Sequence, residues 1–124
     1  MQKPEACIVA GDAYGELGKD LQQRIENATG IKLPLVSERK AMAGLGRQGN
    51  IIALGQFGNN KLIKHFYFRW YLVVDGMQPG AGGYVLQTVH NPDNLGINLL
   101  IAGGSDRAGV AKAADRLIAN IEKY

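Results

Sequence analysis

The sequence predicts an α/β domain in which strands and helices alternate around a single mixed sheet. Three times an apolar stretch runs through glycine into a segment with helical spacing: residues 6–11 into 13–25, 50–55 into 59–70, and 97–103 into 106–121. The apolar stretches are short and rich in Ile, Val and Leu, with little polar alternation, as in strands that are buried on both faces. None of the three turns carries a complete nucleotide or nucleophile motif, so the pattern predicts fold more readily than function.

The first third of the chain predicts a strand, a helix and an edge strand. The strand is residues 6–11, and the helix after it ends at Gly30, a C-terminal cap. Its apolar stripe comprises Tyr14, Leu17, Leu21, Ile25 and Ala28. Residues 31–38 alternate apolar and polar side chains and contain Pro34, which has no backbone N–H and is confined to edge strands. The glycine-rich residues 39–49 are predicted to be a loop.

The rest of the chain predicts three strands and two helices. After the strand at 50–55, the second helix is expected to begin at Asn59 or Asn60, and its apolar stripe comprises Leu62, Ile63, Phe66, Tyr67 and Trp70. The strands at 83–90 and 97–103 are joined by a short, turn-rich link, which predicts an antiparallel hairpin. The third helix follows, with Ser105 as its expected cap.

These elements occur in the order β-α-β-β-α-β-β-α within one predicted domain, residues 1–124. Right-handed crossovers make the strands of each β-α-β unit parallel. We therefore expect an α/β (α+β) fold, a two-layer sandwich with one mixed sheet of about five strands and three helices. The length of 124 residues suits one domain with one hydrophobic core. The chain is interpreted as a domain excised from a longer protein.

Composition argues against several classes of partner. The net charge of +3 permits an acidic partner, but no aromatic residues interleave with the basic residues of the 39–49 loop, so we predict no nucleic-acid binding. No apolar run approaches the roughly 20 residues of a membrane span, which predicts a soluble domain without membrane contact. Cys7 is the only cysteine, so no internal disulfide forms, and its place in a strand indicates a small buried hydrophobe.

One glycine-rich segment matches a cofactor-binding motif but lacks the secondary structure that the motif requires. Gly44, Gly46 and Gly49 match G-x-G-x-x-G, but no strand precedes them and no helix follows, so we predict no dinucleotide cofactor. His65 and His90 are isolated, so we predict no metal site. No nucleophile and base pair is visible, which predicts no catalytic residues in the isolated chain and leaves a small enzyme of unrecognised type as a remaining alternative.

The helix start at residues 103–107 is the best local candidate for a binding site. Backbone N–H groups at a helix N-terminus attract anions, and the glycines allow close approach. The candidate anion-binding residues are Gly103, Gly104, Ser105, Asp106 and Arg107. The competing interpretation is a well-capped helix start, because Asp106 already places a carboxylate at the same dipole.

Three segments, NIIALGQFGNNKLI, GGYVLQTV and INLLIAGGSDRAGVAKAADRLI, carry a resemblance to a known family. They resemble the small α/β domain that precedes the catalytic barrel in family-20 β-hexosaminidases and family-67 α-glucuronidases. The shared pattern is a strand ending in glycine, an Asn-opened helix, a glycine-aromatic strand, and a strand of the IAG type that enters a helix. The resemblance covers about four-fifths of the chain and rests on strand and turn residues, and no catalytic residue of the family maps onto this sequence.

The resemblance implies a non-catalytic accessory domain that packs against the catalytic domain of the same parent chain. It also implies that the helices gather mainly on one sheet face, which leaves part of the other face to loops or a neighbouring domain. The expected interdomain surface comprises Phe66, Tyr67, Trp70 and Tyr71, and the isolated domain is expected to self-associate. The compartment stays open, with a secreted or periplasmic parent compatible with the resemblance. The alternative is a free-standing small-molecule or anion-binding module that uses residues 103–107.

Overall fold

The computed structural model describes residues 6–11, 14–44, 49–56, 58–68, 77, 79–92 and 95–123. The elements in chain order are β1 (Ala6–Ala10), α1 (Gly15–Thr29), α2 (Glu38–Ala43), β2 (Asn50–Gly55), α3 (Lys61–Phe68), β3 (Tyr84–His90), β4 (Asn98–Gly104) and α4 (Arg107–Lys123). The strands form one sheet in the order β1-β2-β4-β3. Strand β2 pairs in parallel with β1 and β4, whereas β3 and β4 are antiparallel, which confirms the predicted mixed sheet. The prediction of parallel strands in the second β-α-β unit is wrong, because β3 lies beyond β4 at the edge of the sheet and runs opposite to β2.

The predicted strand at residues 31–38 is reduced to a single bridge. Ile8 donates its N–H to the Pro34 carbonyl oxygen and accepts from the Val36 N–H, both at 2.9 Å, so that Leu35 pairs in parallel with Ile8. Pairing does not extend into a ladder, because Pro34 has no N–H to donate. The described sheet therefore has four strands rather than about five.

Residues 39–49, which were predicted to be a loop, contain part of the short helix α2. Ser37 accepts a hydrogen bond from the Lys40 N–H at 3.1 Å and caps this helix, and Glu38 places a negative charge in its first turn. Ser followed by good helix formers is a recognised helix start, and the glycines after Ala43 obscured it. The described chain thus has four helices instead of three.

Helices cover both faces of the sheet, so the domain has three layers rather than the two predicted. Side chains alternate along each strand, which sends Cys7 and Val9 to one face and Ile8 to the other. The first core contains residues of α2 and α3, among them Ala41, Leu62, Ile63 and Phe66. The second contains residues of α1 and α4, among them Leu21, Ile25, Val110, Ala113 and Leu117.

The direction of the crossovers explains this distribution. From β1 the chain runs through α1 to the Leu35 bridge on one side of β1, whereas from β2 it runs through α3 and the edge strand β3 to β4 on the other side. Right-handed crossovers that run in opposite directions place their helices on opposite faces. The expectation of helices mainly on one face is therefore wrong. None of the helices in the described ranges combines the length and apolarity needed to cross a bilayer.

Candidate functional site

The carboxyl ends of β1, β2 and β4 lie at one edge of the sheet, and a helix follows each of them. In open α/β sheets, ligands bind at this edge where neighbouring crossovers leave in opposite directions. That point lies here between β1 and β2, because α1 and α3 cover opposite faces. Residues 103–107 at the end of β4 belong to the same edge, so this edge is the candidate site.

Asn60 joins two strands and a helix at the centre of this edge. Its side chain is 1% exposed and is the buried polar residue among those the structure describes. The amide nitrogen donates to the carbonyl oxygens of Val9 at 3.1 Å and Leu54 at 2.8 Å. The amide oxygen accepts from the N–H groups of Leu62 at 2.9 Å and Ile63 at 3.3 Å. Asn60 is thus the cap of α3, which selects between the two asparagines predicted.

Asn59 shapes the loop between β2 and α3 instead of capping the helix. Its side-chain oxygen accepts from the Gln56 N–H at 2.8 Å, and its amide nitrogen donates to the Tyr14 hydroxyl at 3.2 Å. Gly55 has a φ of 127°, and a side chain there would meet the Asn59 amide oxygen. A Cβ at Gly11 would collide with the Asn59 backbone oxygen. The loop therefore lies directly against the end of β1.

Two further contacts join this loop to its neighbours. The Glu38 carboxylate of α2 accepts from the Lys61 N–H at 2.6 Å, which adds a negative group at the start of α3. Gln56 donates from Nε2 to the Ser105 carbonyl oxygen at 3.5 Å and accepts from the Gly58 N–H at 2.5 Å. These polar groups hold the loops at the carboxyl edge to one another.

The predicted anion-binding residues bind a turn of the same chain. Asp106 accepts from the Gly109 N–H through Oδ1 and from the Gly82 N–H through Oδ2, both at 2.9 Å. Ser105 Oγ accepts from the Gly80 N–H at 2.9 Å. Asp106 is therefore the cap of α4, and the prediction of Ser105 as the cap is wrong. The helix begins at Arg107, so Asp106, as the residue just before it, is the one that reaches the N–H groups of the first turn.

Two glycines allow β4 and the turn at residues 79–83 to approach α4 closely. A Cβ at Gly104 would lie 2.6 Å from the Gly109 carbonyl carbon and the Val110 nitrogen. A Cβ at Gly109 would collide with the Gly83 carbonyl oxygen. Lys112 adds a further link by donating from Nζ to the Gly82 carbonyl oxygen at 2.9 Å. The role of Gly109 was not predicted, although its sequence signal is a glycine within an otherwise strong helical pattern.

The charged side chains at this helix start already interact with other groups of the protein. Hydrogen bonds from the Gly109 N–H, and then from the Gly82 N–H, lower the pKa of the Asp106 carboxyl below its ordinary value. The neighbouring Arg107 lies 3.6 Å from the Glu16 carboxylate. Gly103 pairs with Gly55 in the β2–β4 ladder. An anion approaching residues 103–107 would therefore meet the carboxylate of Asp106 at the helix dipole.

Asp106 makes the stability of the domain depend on pH in the acid range. Because its pKa is lower in the folded chain, its contribution is present above the unfolded value of about 3.9 and is lost as pH falls through the folded pKa. We expect Asp106→Asn to remove this part of the acid dependence, so that the stabilities of variant and wild type converge below about pH 4. Urea unfolding between about pH 2 and pH 7 measures it. A constant difference over that range would contradict the assignment.

The two predicted interdomain aromatics that the structure describes lie in the first core or against it. Phe66 is fully buried in the first core, and Tyr67 is partly buried against it. Trp70 and Tyr71 lie outside the described residues. Phe68, which was not predicted, is 63% exposed. The helical spacing indicates the exposure of Phe68, because this residue falls outside the apolar stripe of α3.

One cleft lies beside the candidate site. Its volume is about 170 Å³, and its mostly apolar lining comprises Ile8, Ala10, Gly15, Lys19, Leu35, Val36 and Ser37. Across the described ranges, no group of three or more His, Cys, Asp or Glu side chains is placed to hold a metal ion.

Comparison with known proteins adds no family assignment. No protein-family model matches this chain, and no curated protein matches it either.

Proposed function

We propose that this chain is a non-catalytic accessory domain of a carbohydrate-active multidomain protein, and that it acts by packing against the catalytic domain of the same parent. The link to carbohydrate-active enzymes rests on the resemblance carried by the segments at 50–63, 83–89 and 97–117. These segments correspond to β2 with the start of α3, β3, and β4 with α4, which together make up most of the sheet and two of its helices.

The observation that carries the proposal is the use of the polar groups at the carboxyl edge of the sheet. In α/β enzymes this edge presents groups that act on a ligand. Here Asn59, Asn60 and Gln56 bind backbone and side-chain groups of neighbouring loops. The carboxylates of Glu38 and Asp106 accept backbone N–H groups at helix starts. This use of the edge favours a scaffold over a catalytic centre.

The docking surface that we propose includes the end of α3. Phe68, two residues after the buried Phe66 in α3, has a large apolar side chain that is 63% exposed. Large aromatic side chains at a surface are the usual anchors of protein contacts. Phe68 therefore takes the place of Phe66 in the expected interdomain surface, next to the partly buried Tyr67.

The test uses the complete reading frame and separates catalysis from packing. We expect a barrel-sized segment of the parent to hydrolyse aryl glycosides and the present chain to hydrolyse none. We also expect the two parts to bind each other in calorimetry, and Phe68→Ser to weaken that binding by about tenfold, as loss of an aromatic anchor does. The matched control is Ile31→Ser, which alters a side chain of similar exposure, 50%, in the segment that follows α1.

Two outcomes would contradict the proposal. One is glycoside turnover by the isolated chain that disappears when one carboxylate, such as Glu38, is replaced by its amide. The other is a parent without a catalytic segment, or one whose catalytic segment does not bind this domain.

A further inference from the structure

The first half of α1 and the segment at residues 35–37 border an open cleft beside β1. Its volume is about 170 Å³, and Ile8 and Ala10 of β1 line its base. Gly15 and Lys19 line it from α1, four residues apart and therefore on one side of the helix. All of these residues belong to the described part of the chain, so the walls of the cleft are known.

The cleft exists because the chain leaves the edge of β1 after one bridge. Ile8 exchanges hydrogen bonds with Pro34 and Val36. The next bond of a parallel ladder would join the Ala10 N–H to the Val36 carbonyl oxygen, and these two described residues do not form it. The chain turns instead into α2, which packs on the other face of the sheet. On the opposite wall, a Cβ at Gly15 would meet nothing within 4 Å, so the space between the walls stays open.

The Ala10 N–H gives this apolar cleft a hydrogen-bond donor. Ile8 uses its N–H at the edge of β1 that faces away from β2. Residues two apart in a strand direct their N–H groups to the same edge, so the Ala10 N–H points toward the segment at 35–37. The missing ladder bond thus leaves a backbone donor at the border of the cleft.

Lys19 gives the cleft a positive charge. Its side chain is exposed, and a lysine lays its stem along apolar surface while its ammonium stays in water. The two carboxylates of the same half of α1, Glu16 and Asp20, each lie 3.6 Å from an arginine. Lys19 takes part in none of the ion pairs that the described residues form. The charge at the mouth of the cleft is therefore available to an anion.

We propose that this cleft binds a small carboxylate whose apolar part is about the size of a benzene ring. An apolar cavity of about 150 Å³ holds one benzene molecule, so the volume of the cleft matches one such ring. The ring would lie against Ile8, Leu35 and Val36. Its carboxylate would accept a hydrogen bond from the Ala10 N–H and pair with the Lys19 ammonium. This site does not depend on the proposed accessory function.

The open shape of the cleft predicts weak binding of so small a ligand. Leu35 is 39% exposed, and a bound ring would cover part of its apolar surface. A ligand of about nine non-hydrogen atoms, such as benzoate, reaches a Kd of about 1–10 mM at the efficiency of an ordinary small ligand.

The test is a titration of the full ¹⁵N-labelled chain with benzoate at about pH 7, where a carboxylate is ionised. We expect saturable amide shifts at Ala10, Gly15, Lys19 and residues 35–37, with a Kd in that range. Benzyl alcohol has the ring without the charge, and we expect it to bind at least threefold more weakly. Acetate has the charge without the ring, and we expect no saturation below about 50 mM.

Two pairs of variants assign the contacts. Lys19→Gln is expected to weaken benzoate binding about fivefold and to leave benzyl alcohol within about twofold. Its control, Lys32→Gln, removes the same charge from an exposed lysine outside the cleft and is expected to change neither probe. Leu35→Ser is expected to weaken both probes at least threefold, because part of the apolar wall is lost. Its control, Ile31→Ser, alters an exposed apolar side chain outside the cleft and is expected to weaken neither.

Four results would overturn the proposal. One is the absence of saturable shifts up to about 50 mM benzoate, and another is a set of shifts centred on residues 103–107. The third is equal binding of benzoate and benzyl alcohol. The last is an equal effect of Lys19→Gln and Lys32→Gln, because the positive charge would then act only through the net charge of the chain.

Discussion

Asn60→Ala is expected to lower the free energy of unfolding by about 2–3 kcal/mol, which is a large part of the stability of a small domain. The loss has two sources. The first turn of α3 loses its cap, which costs about 1 kcal/mol. The carbonyl oxygens of Val9 and Leu54 lose a buried donor, which costs on the order of 1 kcal/mol each. Urea unfolding followed by circular dichroism gives the value directly.

Two further variants separate these sources. Asn60→Asp keeps oxygen acceptors for the N–H groups of Leu62 and Ile63 but turns an oxygen toward the Val9 and Leu54 carbonyls. We expect it to be at least as destabilising as alanine at neutral pH, because it buries a charge against two acceptors. Asn27→Ala, at an exposed helical asparagine, should change the unfolding free energy by less than about 0.5 kcal/mol. If Asn60→Ala cost no more than this control, the assigned role of Asn60 would be wrong.

Gly109→Ala is expected to destabilise the domain by about 3 kcal/mol or more, although alanine is the better helix former. Helix propensity alone predicts a gain of about 1 kcal/mol from this change. The added Cβ would, however, collide with the Gly83 backbone oxygen, and backbone atoms on both sides leave no side chain that could move away. The turn at residues 79–83 would have to leave α4 and lose its hydrogen bonds to Ser105 and Asp106. Thermal and urea unfolding measure the effect.

Gly15→Ala is the matched control for this prediction. Gly15 is the first residue of α1, and a Cβ there meets nothing within 4 Å. We expect this variant to be unchanged or stabilised by up to about 1 kcal/mol, because alanine lowers the entropy of the unfolded chain. Equal effects of the two substitutions would show that α4 does not approach the 79–83 turn as closely as the structure places it.

Local signals in the sequence were enough for most elements. Gly30 ends α1 with a φ of 78°, as a C-terminal glycine cap should, and the turn-rich link at 91–96 gave an antiparallel hairpin. The helix at 38–43 was missed, because six residues carry too little periodicity to outweigh the glycines that follow. The strand at 31–38 was predicted because alternation was visible there, whereas its pairing depended on which backbone groups faced Ile8.

At the candidate site, the sequence likewise predicted which residues matter but only part of what they do. Residues 103–107 and the asparagine pair at 59 and 60 were predicted, but part of their roles depended on partners 24 to 51 residues away in the chain. A sequence pattern shows that Asp106 or Ser105 can accept a hydrogen bond. It does not show that Gly80 and Gly82 supply the donors, because that requires the turn to lie on α4.

The sequence by itself determined the class of fold, the mixed sheet, the antiparallel hairpin of β3 and β4, and the start of α3 at an asparagine cap. These follow from side-chain period and local hydrogen bonding, which act over a few residues. Only the tertiary structure decided that helices cover both faces, that Phe66 is in the core while Phe68 is exposed, and that the glycines at 104 and 109 are spacers. Those outcomes depend on which surfaces meet after the strands assemble, and the packing of distant segments sets that arrangement.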